Sequence, residues 1–122
     1  MGKILVIDDE DQIRAMLRQA LESSGHEVLE AINGKEGVRI YQEQPADLVI
    51  TDILMPEKEG IETIMVLKQA HPGMPILAIS GGGRSGAMDF LDMARALGAD
   101  EALQKPFRRA ELLEAVNRLI GS

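Results

Sequence analysis

Five short apolar runs recur through the chain: Lys3–Ile7, His26–Ala31, Asp47–Thr51, Pro75–Ile79 and Ala99–Gln104. An amphipathic stretch follows each of them. Runs such as Ile4-Leu5-Val6-Ile7 and Leu48-Val49-Ile50 are apolar without alternation, the pattern of strands covered on both faces. Parallel neighbours need a crossover long enough to hold a helix, and such crossovers are right-handed. Strict alternation therefore predicts an α/β fold, a doubly wound (βα)5 parallel sheet with helices on both sides.

The helices are marked by period and by punctuation. Ile13, Met16, Leu17, Ala20 and Leu21 recur at helical spacing until Gly25 stops them. Asn33 with Glu36 three residues on predicts a capped helix that runs to about Gln44, before Pro45. Glu59-Gly60 opens a third helix carrying Ile61, Ile64, Met65 and Leu67, broken by His71-Pro72-Gly73. Phe90, Leu91, Ala94 and Leu97 share one face of a fourth, closed by Gly98, and Leu112, Leu113, Val116, Leu119 and Ile120 mark the last. A chain of 122 residues suits one domain, 1–122, and no linker or output domain is expected in it.

Composition removes several functions. Thirteen basic against twenty acidic side chains leave a net charge of −7, and the densest basic spot is Arg108-Arg109. Binding to nucleic acid draws on clustered Lys and Arg, so direct contact with it is not expected. Three aromatic residues, Tyr41, Phe90 and Phe107, are too few for a base-stacking platform. Without cysteine there is no disulfide frame and no thiolate metal site. No apolar run approaches the roughly eighteen residues of a membrane span, and Met1-Gly2-Lys3 leads straight into a strand. A soluble cytoplasmic protein, monomer or weak dimer, is the expectation.

What the strands end on is more telling. Four of the five close on a polar or charged residue: Asp8-Asp9, Asp52, Ser80 and Lys105. In a sheet of order 2-1-3-4-5, the first and third strands are neighbours at the topological switch point, where such folds keep their ligands. Asp8, Asp9 and Asp52 should then share one crevice, with Ser80 and Lys105 on its far side. Singly, each has a plain explanation: Asp52 capping a turn, Asp9 or Asp11 capping a helix, Lys105 solvated at the surface. Together they form a site. Two carboxylates about 4 Å apart repel by about 4 kcal/mol at an effective dielectric near 20, so three ionised together need a cation. Oxygen ligands without His or Cys suit Mg²⁺. Three negative charges against Mg²⁺ and Lys105 sum to zero, and a carboxylate can act as the nucleophile that forms an aspartyl-phosphate.

These stretches carry a resemblance. Ile4-Leu-Val-Ile-Asp8-Asp9-Glu10, Val49-Ile-Thr-Asp52-Ile-Leu-Met-Pro56 with Gly60, Ile79-Ser80, Gly98-Ala-Asp100 and Lys105-Pro106-Phe107 span essentially the whole chain. In them the chain resembles the receiver domain of two-component response regulators, the flavodoxin-like CheY-like fold. The resemblance implies that Asp52 accepts a phosphoryl group from a sensor histidine kinase or phosphotransfer protein. It implies Asp9 as a direct Mg²⁺ ligand beside Asp52, Asp8 as a ligand through water, and the backbone carbonyl of Leu54 as a further ligand. Lys105 would pair with phosphoryl oxygens, Ser80 would donate its hydroxyl to one, and the Lys105-Pro106 bond is expected to be cis. An unidentified downstream protein would read the change. Activity beyond slow autodephosphorylation is not implied, so the protein is not expected to be an enzyme.

Two stretches depart from the family pattern. Ala102 stands three residues before Lys105-Pro106, where receivers commonly carry Tyr or Phe. A methyl group cannot swing inward as a ring does, so switching is expected to run through the 80–105 region by other means. Gly81-Gly82-Gly83-Arg84-Ser85-Gly86 lengthens the segment after Ser80 and should cost entropy to order. It matches G-x-G-x-x-G, yet the next strand ends in Gln104-Lys105 and not in a ribose-binding acid, and no Gly-Lys-Ser/Thr follows. Two rivals to the switch are a phosphate-independent interaction module of the same fold and a Mg²⁺-dependent phosphohydrolase. The second needs another acid two residues after its nucleophile, where this chain has Leu54.

Overall fold

The computed structural model of the chain describes residues 2–52, 59–80, 96, 98–105 and 107–120, with residues 59–61 and 80 described in backbone only. Nine elements follow in order: β1 (Lys3–Ile7), α1 (Asp11–Ser23), β2 (Glu27–Ala31), α2 (Gly34–Glu43), β3 (Leu48–Asp52), α3 (Glu59–Ala70), β4 (Ile76–Ser80), β5 (Glu101–Gln104) and the last described helix, here α4 (Arg109–Ile120). The strands form one parallel sheet in the order β2-β1-β3-β4-β5. Apart from residue 96, which is helical, the helix expected over 87–97 lies outside the described residues, as do the glycine loop and Pro106.

Successive side chains of a strand point to opposite faces, and each face here has its own core. Leu5, Ile7, Val49, Ile76 and Ala78 meet Tyr41 of α2 and Ile64 and Leu67 of α3. Ile4, Val6, Leu48, Ile50, Leu77 and Ile79 meet Leu17 and Leu21 of α1 and Leu112 and Val116 of α4. The strand residues of both layers are buried, which is why the central strands read as unbroken apolar runs. A Cβ placed on Gly37 would run into Cδ1 and Cγ1 of Ile7, so α2 sits closer to β1 than any larger residue would allow unless Ile7 shifts.

Expected details shift where hydrogen bonds outweigh pattern. β3 starts and ends one residue later than expected, so Asp52 is its last ladder residue, paired in register with Ile79. β5 begins at Glu101 instead of Ala99, because Asp100 turns to bond Ile76: its N–H donates to the Ile76 carbonyl and its Oδ2 accepts from the Ile76 N–H, both at 2.8 Å. Neither Asp9 nor Asp11 caps α1. The N-cap is Glu10, without a side-chain cap, and Asp8 Oδ1 accepts the Glu10 N–H at 2.8 Å. Asn33 does cap α2, accepting from the Glu36 N–H at 2.8 Å, while Glu36 reaches back to the N–H of Ile32. Met16 and Met65, expected on inner faces, are exposed. On α1 the place near the sheet edge goes to Arg14; on α3, Thr63, Ile64 and Leu67 fill the inner stripe and turn Met65 and Val66 outward.

Candidate functional site

The carboxyl ends of β1 and β3 are adjacent because Ile7 and Thr51 are register partners, which sets Asp8 and Asp52 side by side. Both are taken out of water, Asp8 at 0% and Asp52 at 2% exposure. Asp8 is held through both backbone and side chain: its N–H donates to the Ala31 carbonyl at 3.1 Å, its carboxylate accepts from the Glu10 N–H, and its own carbonyl accepts from Arg14 Nη1 at 2.7 Å. Asp9 and Glu10 follow on the loop and are exposed.

Lys105 closes the crevice. It comes directly after β5, and its Nζ donates to Asp52 Oδ2 at 3.2 Å, Asp8 Oδ2 at 3.3 Å and Glu10 Oε1 at 3.4 Å. Its side chain is 13% exposed, so it is neither a solvated surface lysine nor on the far side of the crevice: it lies among the carboxylates. Burial works against the Lys105 ammonium, but the charges of Asp52 and Asp8 outweigh it and raise its pKa above the ordinary lysine value. Burial pushes the Asp8 carboxyl up to about 6; the Asp52 charge adds to this, while the Glu10 N–H and Lys105 oppose it.

One carboxylate oxygen from each of Asp8, Asp9, Glu10 and Asp52 lies within 4.8 Å of the others. These donors are all oxygen, with two carboxylates buried and two open to solvent, a set that suits a hard, partly hydrated cation such as Mg²⁺. Glu10 is a fourth acid at the site, one that the strand-end pattern leaves out although it stands directly beside Asp8-Asp9 in the chain. With it the carboxylates carry four charges, so Mg²⁺ and Lys105 would leave one over. Arg14 was also missed: a basic residue three positions from Asp11 on a helix reads as a solvated pair, and only the folded chain shows it buried.

The other expected site residues are less fully placed. Ser80 ends β4 at the same sheet edge, in register with Gln104, with its side chain undescribed. Leu54 lies outside the described residues. Ala102 pairs in register with Ala78 and packs, half-buried, on the core that α2 and α3 cover. None of the described helices is long and apolar enough to cross a membrane.

Comparison with known proteins agrees with this geometry. Residues 4–117 match the family described as the response regulator receiver domain. The chemotaxis protein CheY of Thermotoga maritima is 36% identical over 121 residues, covering 98% of each chain. The transcriptional regulatory protein CpxR of Escherichia coli is 32% identical over 98% of this chain, which spans only 50% of that relative. A response regulator receiver domain protein from Clostridium thermocellum superposes with a TM-score of 0.90 at 37% identity, over 99% of this chain and 95% of that one. Phosphorylation on aspartate is characteristic of these domains, and they typically bind Mg²⁺ at an acidic pocket. With its sheet order, its acidic crevice and a match over nearly its whole length, the chain belongs to the receiver-domain family of two-component response regulators.

Proposed function

We propose that this chain is a phosphoacceptor switch in which Asp52 takes a phosphoryl group from the phosphohistidine of a sensor histidine kinase or phosphotransfer protein. A carboxylate oxygen of Asp52 bonds to phosphorus as the phosphorus–nitrogen bond breaks, and the released imidazole takes up a proton. The observation that carries this is Lys105 Nζ held between Asp8 and Asp52, within 3.3 Å of both. An ammonium there steadies the ionised nucleophile and can turn to the incoming phosphoryl oxygens.

Asp9, Asp52 and the backbone carbonyl of Leu54 would hold Mg²⁺, with Asp8 acting through water; bound there, it would neutralise charge on the transferring group. The remaining work falls to the chain. Asp8 keeps a second buried negative charge beside the nucleophile, Lys105 screens both, and Ser80 at the end of β4 donates its hydroxyl to a phosphoryl oxygen. Rearrangement over residues 80–105 then alters binding of a downstream protein, in the cytoplasm where such kinases present their phosphohistidine. Return to the starting state is slow hydrolysis, not turnover of a substrate.

Intact-mass measurement after incubation with MgCl2 and a small-molecule phosphodonor tests the proposal. A single phosphate adduct is expected, absent without Mg²⁺ and absent in Asp52→Ala. A second reading, a phosphate-independent interaction module, draws on Ala102, which leaves no ring to move on the β5 side. Lack of any adduct under these conditions would favour it.

A further inference from the structure

Arg14 is only 9% exposed, an unusual setting for a guanidinium, and nothing in the phosphoryl chemistry above calls on it. Each of its three nitrogens has a partner. Nη1 donates to the Asp8 carbonyl at 2.7 Å, Nε to Glu30 Oε1 at 3.1 Å, and Nη2 to Asp11. Arg18, one turn on and more exposed, donates to the other Glu30 oxygen at 2.6 Å and to Glu22.

The Asp8 carbonyl belongs to the peptide unit that joins Asp8 to Asp9. That unit is planar, so holding its oxygen fixes the direction in which the chain enters Asp9. β1 fixes the chain up to Asp8 and α1 fixes it from Asp11 onward, leaving Asp9 and Glu10 between them. Arg14 ties this short loop, at the Asp8 carbonyl, to Glu30 of β2 and to Asp11 of α1. We infer that Arg14 is a positioning residue for the divalent-cation pocket: through the Asp8 carbonyl it aims Asp9 at Asp52. This rests on the reading of the pocket as a Mg²⁺ site.

The sign of the effect separates positioning from simple charge. Removing a nearby positive charge should strengthen cation binding by Coulomb's law; losing the aim of Asp9 should weaken it. Direct calorimetric titration of MgCl2 into the folded protein decides between them, with folding checked by circular dichroism in EDTA. Arg14→Gln should bind Mg²⁺ at least ten-fold more weakly than the natural chain. Arg14→Lys, which keeps the charge but has no planar fork, should fall between the two. Arg18→Gln removes the same charge from the same network without touching Asp8 and should stay within two-fold of the natural affinity. Unchanged or tighter binding by Arg14→Gln, or equal weakening by Arg18→Gln, overturns the inference. A natural chain that binds no Mg²⁺ overturns the reading of the pocket as well, so the two failures are distinct. Should Arg14→Gln not fold, the Arg14 Nε–H resonance of the natural chain serves instead. It should shift during Mg²⁺ titration with the same midpoint as the Asp9 amide, and a resonance that stays still counts against the role.

Discussion

Asp8 costs the fold stability at neutral pH because burial disfavours its ionised form. Its pKa rises from 3.8 to about 6 on folding. Between those values the folded chain holds more of a proton than the unfolded one, so this group's stabilising contribution is complete below about pH 4 and lost as pH rises through 6. At about 1.4 kcal/mol for each pH unit of displacement, the whole effect is on the order of 3 kcal/mol. Urea unfolding without divalent cations, from pH 4 to pH 7.5, should show a decline in the natural chain that is flattened in Asp8→Asn. Equal pH profiles would mean that Asp8 does not titrate there. Added Mg²⁺ should restore stability to the natural chain at pH 7.5, since a ligand that binds only the folded state stabilises it. Lys105 shows what sequence cannot reveal about a residue. Its number places it after a strand, but only the register of β5 on β4 brings its Nζ among three carboxylates.

Helix placement sets the geometry of the sheet edge, and at one point it depends on the absence of a side chain. Gly37 packs on Ile7, the residue immediately before Asp8. Gly37→Ala would raise helix propensity, yet its methyl would fall 2.3 Å from Ile7 Cδ1 and 2.8 Å from Cγ1 in a filled core. We expect a net loss of about 1–3 kcal/mol in urea unfolding. Combining it with Ile7→Val, which deletes Cδ1, should make the pair less destabilising than the sum of the single changes. Strict additivity would show that α2 moves aside freely. Elements of this kind were legible wherever period and punctuation agreed: Asn33 caps α2 as its pattern implies, and Gly25, with φ 91°, stops α1. They were less legible where tertiary bonds compete. Asp100 is drawn to Ile76 and Lys68 and delays β5, and on α1 Arg14 is buried in line with Leu17 and Leu21 while Met16 turns outward.

At the scale of the molecule, two buried apolar cores on either side of one parallel sheet leave its carboxyl edge as the place where polar groups collect. That much follows from unbroken apolar strands alternating with amphipathic helices, and the residues at the strand ends alone put Asp8, Asp9 and Asp52 in one crevice, with Ser80 and Lys105 on its far side. What did not follow was the finer division of labour: a fourth acid in Glu10, an ammonium inside the carboxylate cluster, and a guanidinium beneath it. Each depends on side-chain reach across elements distant in sequence, and residue types at strand ends do not report reach. The central claim is that this arrangement makes Asp52 the phosphoacceptor. An acyl phosphate, unlike a free carboxylate, is reduced by borohydride to an alcohol, which marks the modified residue permanently. After treatment with a phosphodonor and MgCl2, borohydride reduction and peptide mapping by mass spectrometry should find homoserine at position 52 alone, and none when Mg²⁺ is withheld. Homoserine at another acid, or an unreduced Asp52 under full phosphorylation conditions, would contradict the account.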